Sequence, residues 1–212
     1  AGRFFPEKAK VSIPLYFSYT KERLSPKFNP LDTDMLLEDA LDAAIDSHEE
    51  DSIRSIAETV STYRNFSVSN AKINIASPVP MPFDPANLSF SFSYSKTENS
   101  GSTINWEDKL NWKASIAYNY SSPIKTIKPF AGIKSKSKWW KILKDWGINP
   151  LPQSIAANTD MIRNYHEMQR RDLNAIDGGA SIPLTFSQQF YWNRSFTMKW
   201  DPTTNLKMNI ST

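Results

Sequence analysis

The chain has 212 residues, of which 25 are lysine or arginine and 22 are aspartate or glutamate, so its formal net charge is only +3. A charge this small excludes the broad basic field of a nucleic-acid-binding protein, and we expect no nucleic-acid partner. The absence of cysteine excludes disulfides, thiolate metal sites and cysteine nucleophiles. Aromatic residues form 13% of the chain, with 7 Trp and 8 Tyr, which is typical of buried interfaces and lipid–water boundaries.

Both ends of the chain suggest a piece of a longer protein. The first residues lack the apolar core of a secretory signal, and no apolar run approaches the ~20 residues of a transmembrane helix. The last residues, from Leu206 onward, alternate like a strand that has not ended. We therefore expect an internal fragment.

The amino-terminal part, residues 1–31, predicts one strand followed by a proline-rich linker. Side chains from Val11 to Tyr19 alternate between apolar and polar, which favours a strand. Pro14 lies inside this run and has no N–H to donate, so it predicts an edge strand or a bulge.

An acidic helical excursion follows over residues 32–62. The apolar spacing changes to that of a helix and predicts one over about 33–60, with Asp32 or Thr33 as its N-cap. The acidic run Asp46–Asp51 is either a solvated surface or a docking surface for a partner.

Residues 63–122 predict strands, and their clearest element is a long hairpin over 87–121. Two short candidates, 66–68 and 73–75, differ in phase, and the prolines between 78 and 85 predict an extended connection without ladder hydrogen bonds. The hairpin turn is predicted at Glu98–Ser102. One face of the hairpin is apolar and the other is polar. The apolar set is Leu88, Phe90, Phe92, Trp112 and Ile116, and the polar set is Ser89, Ser91, Ser93, Lys113 and Ser115.

The length of this hairpin favours a membrane protein. Strands of globular proteins usually have about 5–6 residues, and the second strand of this hairpin is much longer. Long strands with aromatic side chains opposite serines are typical of a spanning β-barrel. The apolar set would then face lipid and the polar set the lumen.

A basic, tryptophan-rich connector occupies residues 123–153. It predicts a short helix over about 137–146, with Trp139, Ile142, Leu143 and Trp146 on one side. This side either lies in a bilayer interface or packs on the protein itself.

The last part, residues 154–212, predicts strands that end in a second hairpin over 182–212. The hairpin turn is predicted at Asp201–Thr204. Residues 154–172 fit neither period cleanly, and local propensity favours a helix near Met161–Arg171.

No catalytic motif is present. The sequence contains no glycine-rich phosphate loop, no HExxH, no GxSxG and no carboxylates at metal spacing. His166 and Glu167, with Asp160 and Asp172 nearby, could be read as an acid–base set, but we interpret them as structural. We expect no catalytic residue, no metal and no cofactor.

Several motifs resemble the SprA/Sov family. They are Ile13-Pro14-Leu15 before an Asp-Ala-Leu-Asp-Ala helix, Phe83-Asp84-Pro85-Ala86-Asn87-Leu88 leading into the serine-aromatic alternation to Ser95, Lys144-Asp145-Trp146-Gly147-Ile148-Asn149-Pro150-Leu151-Pro152, Asn158-Thr159-Asp160-Met161, Phe190-Tyr191-Trp192-Asn193-Arg194 and Lys199-Trp200-Asp201. The resemblance runs from about Val11 to the end. The acidic run Asp46–Asp51 and the segment Pro78–Pro82 have no counterpart in it.

The resemblance implies a piece of a very large outer-membrane protein of Bacteroidota. Members of this family form the translocon of the type IX secretion system, associated with gliding motility in some species. It implies a single-chain antiparallel barrel that passes folded cargo, with other secretion-system subunits at a lateral opening and a plug below. Under it, residues 154–169 are expected to be a strand with Ile155, Ala157, Thr159 and Met161 on one face.

The leading prediction is a mainly β, antiparallel, non-enzymatic part of an outer-membrane barrel that exports folded cargo proteins. Its expected partners are secreted cargo, secretion subunits and outer-membrane lipid. Two alternatives remain: an outer-membrane barrel for another cargo, such as lipopolysaccharide or nutrients, and a soluble β-rich binding module whose aromatic side chains line a core or a glycan groove.

Overall fold

The computed structural model describes residues 10–123, 126–132, 145–172 and 182–212. Within them the chain forms one antiparallel eight-stranded sheet, a separate two-stranded hairpin and two short helices. The fold is therefore mainly β, as the alternation predicts. In these residues no helix has the length and apolar character needed to cross a membrane.

The eight-stranded sheet is built mostly from neighbours in sequence. Its strands run in the order β1-β5-β6-β7-β8-β9-β10, and β2 pairs with β5 along the same edge as β1. Five of the described strands have 13 to 19 residues. The strands are β1 (Val11–Ser12), β2 (Leu15–Leu24), β3 (Phe28–Asn29), β4 (Asp32–Leu36), β5 (Thr59–Ile73), β6 (Leu88–Ser100), β7 (Ile104–Ser121), β8 (Ser154–Arg170), β9 (Thr185–Thr203) and β10 (Leu206–Ser211), with β3 and β4 forming the separate hairpin.

The central hairpin β6–β7 confirms the predicted strands, but its turn is shorter than predicted. Glu98, Asn99 and Ser100 belong to β6 and not to the turn, because Glu98 pairs with Asp108 on one side and Thr62 on the other. Gly101 is at the start of the real turn, which ends before Ile104.

The first predicted strand is divided at Pro14, as its missing N–H suggests, into β1 and β2. The facing strand β5 joins the two predicted short candidates into one element and carries an irregularity between Val68 and Ala71. Asn70 has a φ of 50° there, and its N–H donates to Ser91 Oγ at 2.9 Å.

The helical excursion differs from the prediction at both ends and in the middle. Residues 32–36 form strand β4, so neither Asp32 nor Thr33 is an N-cap. The helix consists of two pieces, α1 (Leu37–Asp42) and α2 (Ser47–Ala57), and residues 59 and 60 already belong to β5. Asp46 caps α2 by accepting from the Glu49 N–H, and Glu49 accepts from the Ile45 N–H, a reciprocal arrangement that starts a new helix here.

The proline-rich connection before β6 is compact and not extended. Asp84, only 6% exposed, accepts hydrogen bonds from the Ser77 hydroxyl and from the Ser77 and Met81 N–H groups. Asn87 donates to the Met81 carbonyl, and a single 3-10 turn (Pro85–Asn87) leads into the sheet. The prolines of this segment have no N–H group to be satisfied. The Ser77 and Met81 N–H groups do need acceptors, and the Asp84 carboxylate supplies them.

Residues 154–170 are strand β8, which confirms the expectation from the resemblance and not the local helical propensity. Strand β8 lies between β7 and β9, and the hydrogen-bonded ladders on its two sides override its local propensity for a helix. At the carboxyl end, Asp201 and Pro202 still belong to β9, and the turn lies at residues 204–205.

The predicted basic helix falls mainly outside the described residues, as do Trp139, Ile142 and Leu143. Trp146 is described, and its ring stacks on Phe130 with a centroid distance of 6.0 Å.

Candidate functional site

The strand register places the two predicted residue sets on opposite faces of one sheet. Phe90 lies opposite Ile116, Tyr94 opposite Trp112, and Ser93 opposite Lys113. Residues directly opposite each other in a ladder share a face. The apolar set (Leu88, Phe90, Phe92, Trp112, Ile116) therefore shares one face, the apolar face, and the polar set (Ser89, Ser91, Ser93, Lys113, Ser115) shares the other, the polar face.

The apolar face extends over every long strand. One row of opposed residues crosses six strands from β2 to β9: Phe17, Phe66, Tyr94, Trp112, Arg163 and Phe190. The next row consists of Leu15, Val68, Phe92, Ala114, Met161 and Trp192. Aromatic rings touch along these rows: Phe66 and Phe92 have centroids 6.4 Å apart, as do Trp112 and Phe190.

In the described part of the chain, this face is not covered. Phe17 is 68% exposed, Phe190 57% and Trp192 52%. The buried apolar side chains are Leu37, Ala40, Ala57 and Tyr120, and only Tyr120 belongs to the sheet. An exposed patch of this size marks contact with a membrane or another protein and not a self-contained core.

A row of charges limits the apolar face at one end. Lys96 forms ion pairs with Glu98 at 2.6 Å and with Asp108 at 3.2 Å, and Arg64 pairs with Glu98 at 2.9 Å. Tyr165 donates to Glu167 at 2.7 Å along the same level. We call this group, Arg64, Lys96, Glu98, Asp108 and Glu167, the charged collar.

The apolar band is the part of the apolar face between the levels of Leu110 and Tyr120. On β7 it comprises eleven positions, from 110 to 120, which at about 3.3 Å per residue span about 33 Å. At the tilt of about 40° that strands have in membrane-spanning barrels, this length would correspond to a height of about 25 Å. Tyrosine and tryptophan lie near both of its ends: Tyr19, Tyr165, Trp112, Tyr118 and Tyr120.

Two arginines interrupt the band. The guanidinium of Arg194 lies over the ring of Trp192, 4.4 Å from its centroid. Arg163 lies between Trp112 and Phe190 in the row nearest the collar. Neither residue was singled out as a site from the sequence.

The polar face carries hydroxyls, amides and a few paired charges. Ser115 donates to Asp160 at 2.5 Å, and Lys113 lies 3.4 Å from the same carboxylate. One row across six strands contains no charge at all: Ser18, Asn65, Ser95, Asn111, Asn164 and Gln189.

A buried carboxylate, that of Glu107, lies at the end of the polar face near the β6–β7 turn. Glu107 accepts from Asn99 at 2.7 Å and lies 2.9 Å from Lys109 Nζ and 2.8 Å from His166 Nε2. Burial alone would raise the pKa of Glu107, but the three donors outweigh it and lower the pKa to about 2. Glu107 lies three residues beyond the apolar band and fixes the end of the β6–β7–β8 unit.

The acid–base set considered from sequence does not assemble. His166 contacts Glu107, whereas Glu167 projects to the opposite face and Asp160 contacts Ser115 further along β8. Among the described residues no group of three metal-ligating side chains comes together.

Two of the quoted motif blocks meet at the far end of the sheet. Trp200 Nε1 donates to the Asn149 carbonyl at 3.0 Å, and Asn149 Nδ2 donates to the Asp201 carbonyl at 2.7 Å. Gln153 also donates to the Asp201 carboxylate. We call this contact, residues 146–153 with residues 200–202, the clasp. It ties the connector to β9.

The charged collar was missed in the sequence. Lys96, Glu98 and Asp108 follow the same parity as Phe92 and Trp112, which was the available signal. The predicted turn at Glu98–Ser102 ends this parity too early, because Glu98 is still paired in β6.

Residues 1–41 match the amino-terminal SprA family model, described as a motility related/secretion protein. The match ends within α1. No curated protein matches the chain.

Proposed function

We propose that this chain is a strand-rich part of an outer-membrane channel that conducts folded proteins out of the cell. In this proposal Leu88, Phe90, Phe92, Trp112 and Ile116 face lipid. Ser89, Ser91, Ser93, Lys113 and Ser115 face the water-filled lumen. The parent structure is a large antiparallel barrel, and the chain itself has no enzymatic role.

The observation that carries the proposal is the uncovered apolar band with a charged boundary. A soluble sheet buries such a face against a second layer, whereas here the aromatic rows remain exposed in the described residues. The estimated height of about 25 Å agrees with the hydrocarbon band of spanning barrels. The collar then lies where the strands leave the hydrocarbon, so its ion pairs do not need burial in lipid.

The secretion role rests on the match over residues 1–41 and on the motif resemblance. Cargo, partner subunits at an opening and a plug are part of the proposal for the same reason. The polar face fits a route for a folded protein, because its hydroxyls and amides present little charge and no large apolar patch on which a passing surface would adhere.

Because the chain contains no cysteine, single cysteines test the orientation directly. Phe92→Cys and Ile116→Cys probe the apolar face, and the adjacent Ser91→Cys and Ser115→Cys probe the polar face. In intact outer membranes a water-soluble maleimide is expected to label the serine positions and to reach the other two only after the membrane is dissolved and the protein unfolded. Equal labelling at neighbouring positions would contradict the proposal.

A further inference from the structure

Arg163 is one of the two cations within the apolar band, and unlike Arg194 it does not lie over an aromatic ring of the described residues. Strand β8 is paired on both sides, so the neighbours of Arg163 are all described: Trp112 and Phe190 across the ladders, and Met161 and Tyr165 along the strand. None of them is acidic. Charged side chains inside a membrane band are costly and usually serve a function.

The side chain of Arg163 is directed toward the boundary of the band. Its Nη2 donates to Gln188 Oε1 at 3.4 Å, and Gln188 lies opposite Tyr165, one row nearer the charged collar. The rings of Trp112 and Phe190, on the strands either side of β8, approach each other to 6.4 Å. Long cationic side chains in membranes extend in this way toward the headgroups.

The charge of Arg163 has no counter-charge in the described part of the chain. No carboxylate lies within ion-pair distance of it, whereas the collar cations Arg64 and Lys96 each have one. The nearest acidic residue along β8 on this face, Glu167, is four positions away and accepts from Tyr165. A guanidinium has five N–H donors, and only one of those of Arg163 is used here.

We infer that Arg163 binds the phosphate of an anionic lipid at the collar end of the apolar band. This rests on the proposed function, since it requires the apolar face to meet lipid. Guanidinium groups bind phosphate oxygens in a two-pronged geometry. Trp112 and Tyr165 provide amphipathic rings of the kind found at the headgroup level. The acyl chains would lie along Met161 and the aromatic rows.

The test compares lipid binding by the wild-type chain and three variants. Each protein is inserted into vesicles of phosphatidylcholine, with or without phosphatidylglycerol, and the bound lipid is measured by native mass spectrometry after extraction. Arg163→Gln is expected to weaken phosphatidylglycerol retention about fivefold, the effect of one basic side chain at an anionic surface. Arg163→Lys keeps the positive charge but lacks the planar guanidinium that binds two phosphate oxygens, so an intermediate loss of phosphatidylglycerol retention is expected.

Lys113→Gln is the matched control, because Lys113 lies beside Arg163 in the sheet but on the polar face. It removes the same charge and is expected to leave lipid retention unchanged. Inorganic phosphate, added as a competitor, distinguishes a site for the free ion, which it would empty, from a site that needs the lipid.

Three results would overturn the inference. One is unchanged phosphatidylglycerol retention in an Arg163→Gln protein that inserts normally. Another is unchanged lipid retention together with loss of a co-purifying acidic protein, which would assign Arg163 to a protein contact. A third is wild-type protein that inserts but retains no more phosphatidylglycerol than phosphatidylcholine. Labelling of Phe92→Cys in the intact membrane would instead refute the membrane orientation, and this site with it.

Discussion

The indole nitrogen of Trp200 donates to the backbone oxygen of Asn149 at 3.0 Å, across 51 positions of sequence. Two motif blocks that appear unrelated in the sequence are thereby one structural unit. Its residues hold the connector against the end of β9.

The clasp depends on a glycine at position 147. A Cβ atom there would lie 2.2 Å from Thr126 Cγ2 and 3.1 Å from Thr204 Cγ2. Gly147→Ala is therefore expected to destabilise the clasp by about 1–3 kcal/mol, the usual cost of overpacking. Thermal unfolding in detergent measures this. Gly132→Ala is the matched control, since a Cβ there meets nothing within 4 Å, and equal losses from the two variants would contradict the close approach.

Arginine substitutions distinguish the two faces of β6. Phe92→Arg places a charge on the apolar band and is expected to cost about 2–4 kcal/mol of insertion free energy near the midplane. Ser91→Arg, one residue earlier, projects from the polar face and should be tolerated. Heat-modified mobility on gels reports the inserted fraction, and indistinguishable behaviour of the two variants would count against the orientation.

Asp84 should make the loop before β6 sensitive to acid. The hydroxyl of Ser77, followed by the Met81 N–H, lowers the pKa of Asp84 below its usual value. A lowered pKa in the folded state adds stability above about pH 4, and this stability is lost as the pH falls through the folded value. Amide exchange at Ser77 and Met81 is therefore expected to lose protection on acidification. In Asp84→Asn the protection should be low at every pH, and a variant that retains wild-type protection would refute the role of the carboxylate.

Glu107 should stabilise the end of the β6–β7–β8 unit. Glu107→Gln removes the charge that Lys109 and His166 contact, and hydrogen bonds to charged groups contribute about 1.5–3 kcal/mol each. We expect a loss within that range, measured by urea unfolding in detergent. Glu22→Gln, at an exposed position of the edge strand β2, is the control. Because the pKa of Glu107 falls from 4.5 to about 2 on folding, the wild-type advantage is expected to decline below about pH 4.5 and to be lost as the pH falls through about 2.

The alternation of side chains was sufficient to predict the sheet where both faces differ strongly. Leu88 to Tyr94 has period two throughout, as does Trp192 to Met198 apart from Arg194, and the structure contains the corresponding strands. The same rule identified the phase change in β5. It could not predict the partners of each strand, since pairing depends on the register of distant segments.

The prediction from local helix propensity was wrong where pairing with neighbouring strands stabilises an extended conformation. Met161 to Arg170 favours a helix in isolation, but ladders on both sides hold it in β8. Similarly, one helix was expected over 33–60 because the apolar spacing continues through Ala44 and Ile45. Ile45 is 92% exposed, and the capping residues after it start a second helix.

Strand β5 has one extra residue between Val68 and Ala71, and this residue changes which positions of the strand lie on the apolar face. Before it, Phe66 and Val68 supply the apolar face from even positions, and after it Ala71 and Ile73 supply it from odd ones. If β5 ran in regular alternation through this point, Lys72 would lie on the side of the aromatic rows and Ile73 on the side of the serines. The extra residue therefore lets one strand change the parity of its apolar positions while the two faces of the sheet keep their character.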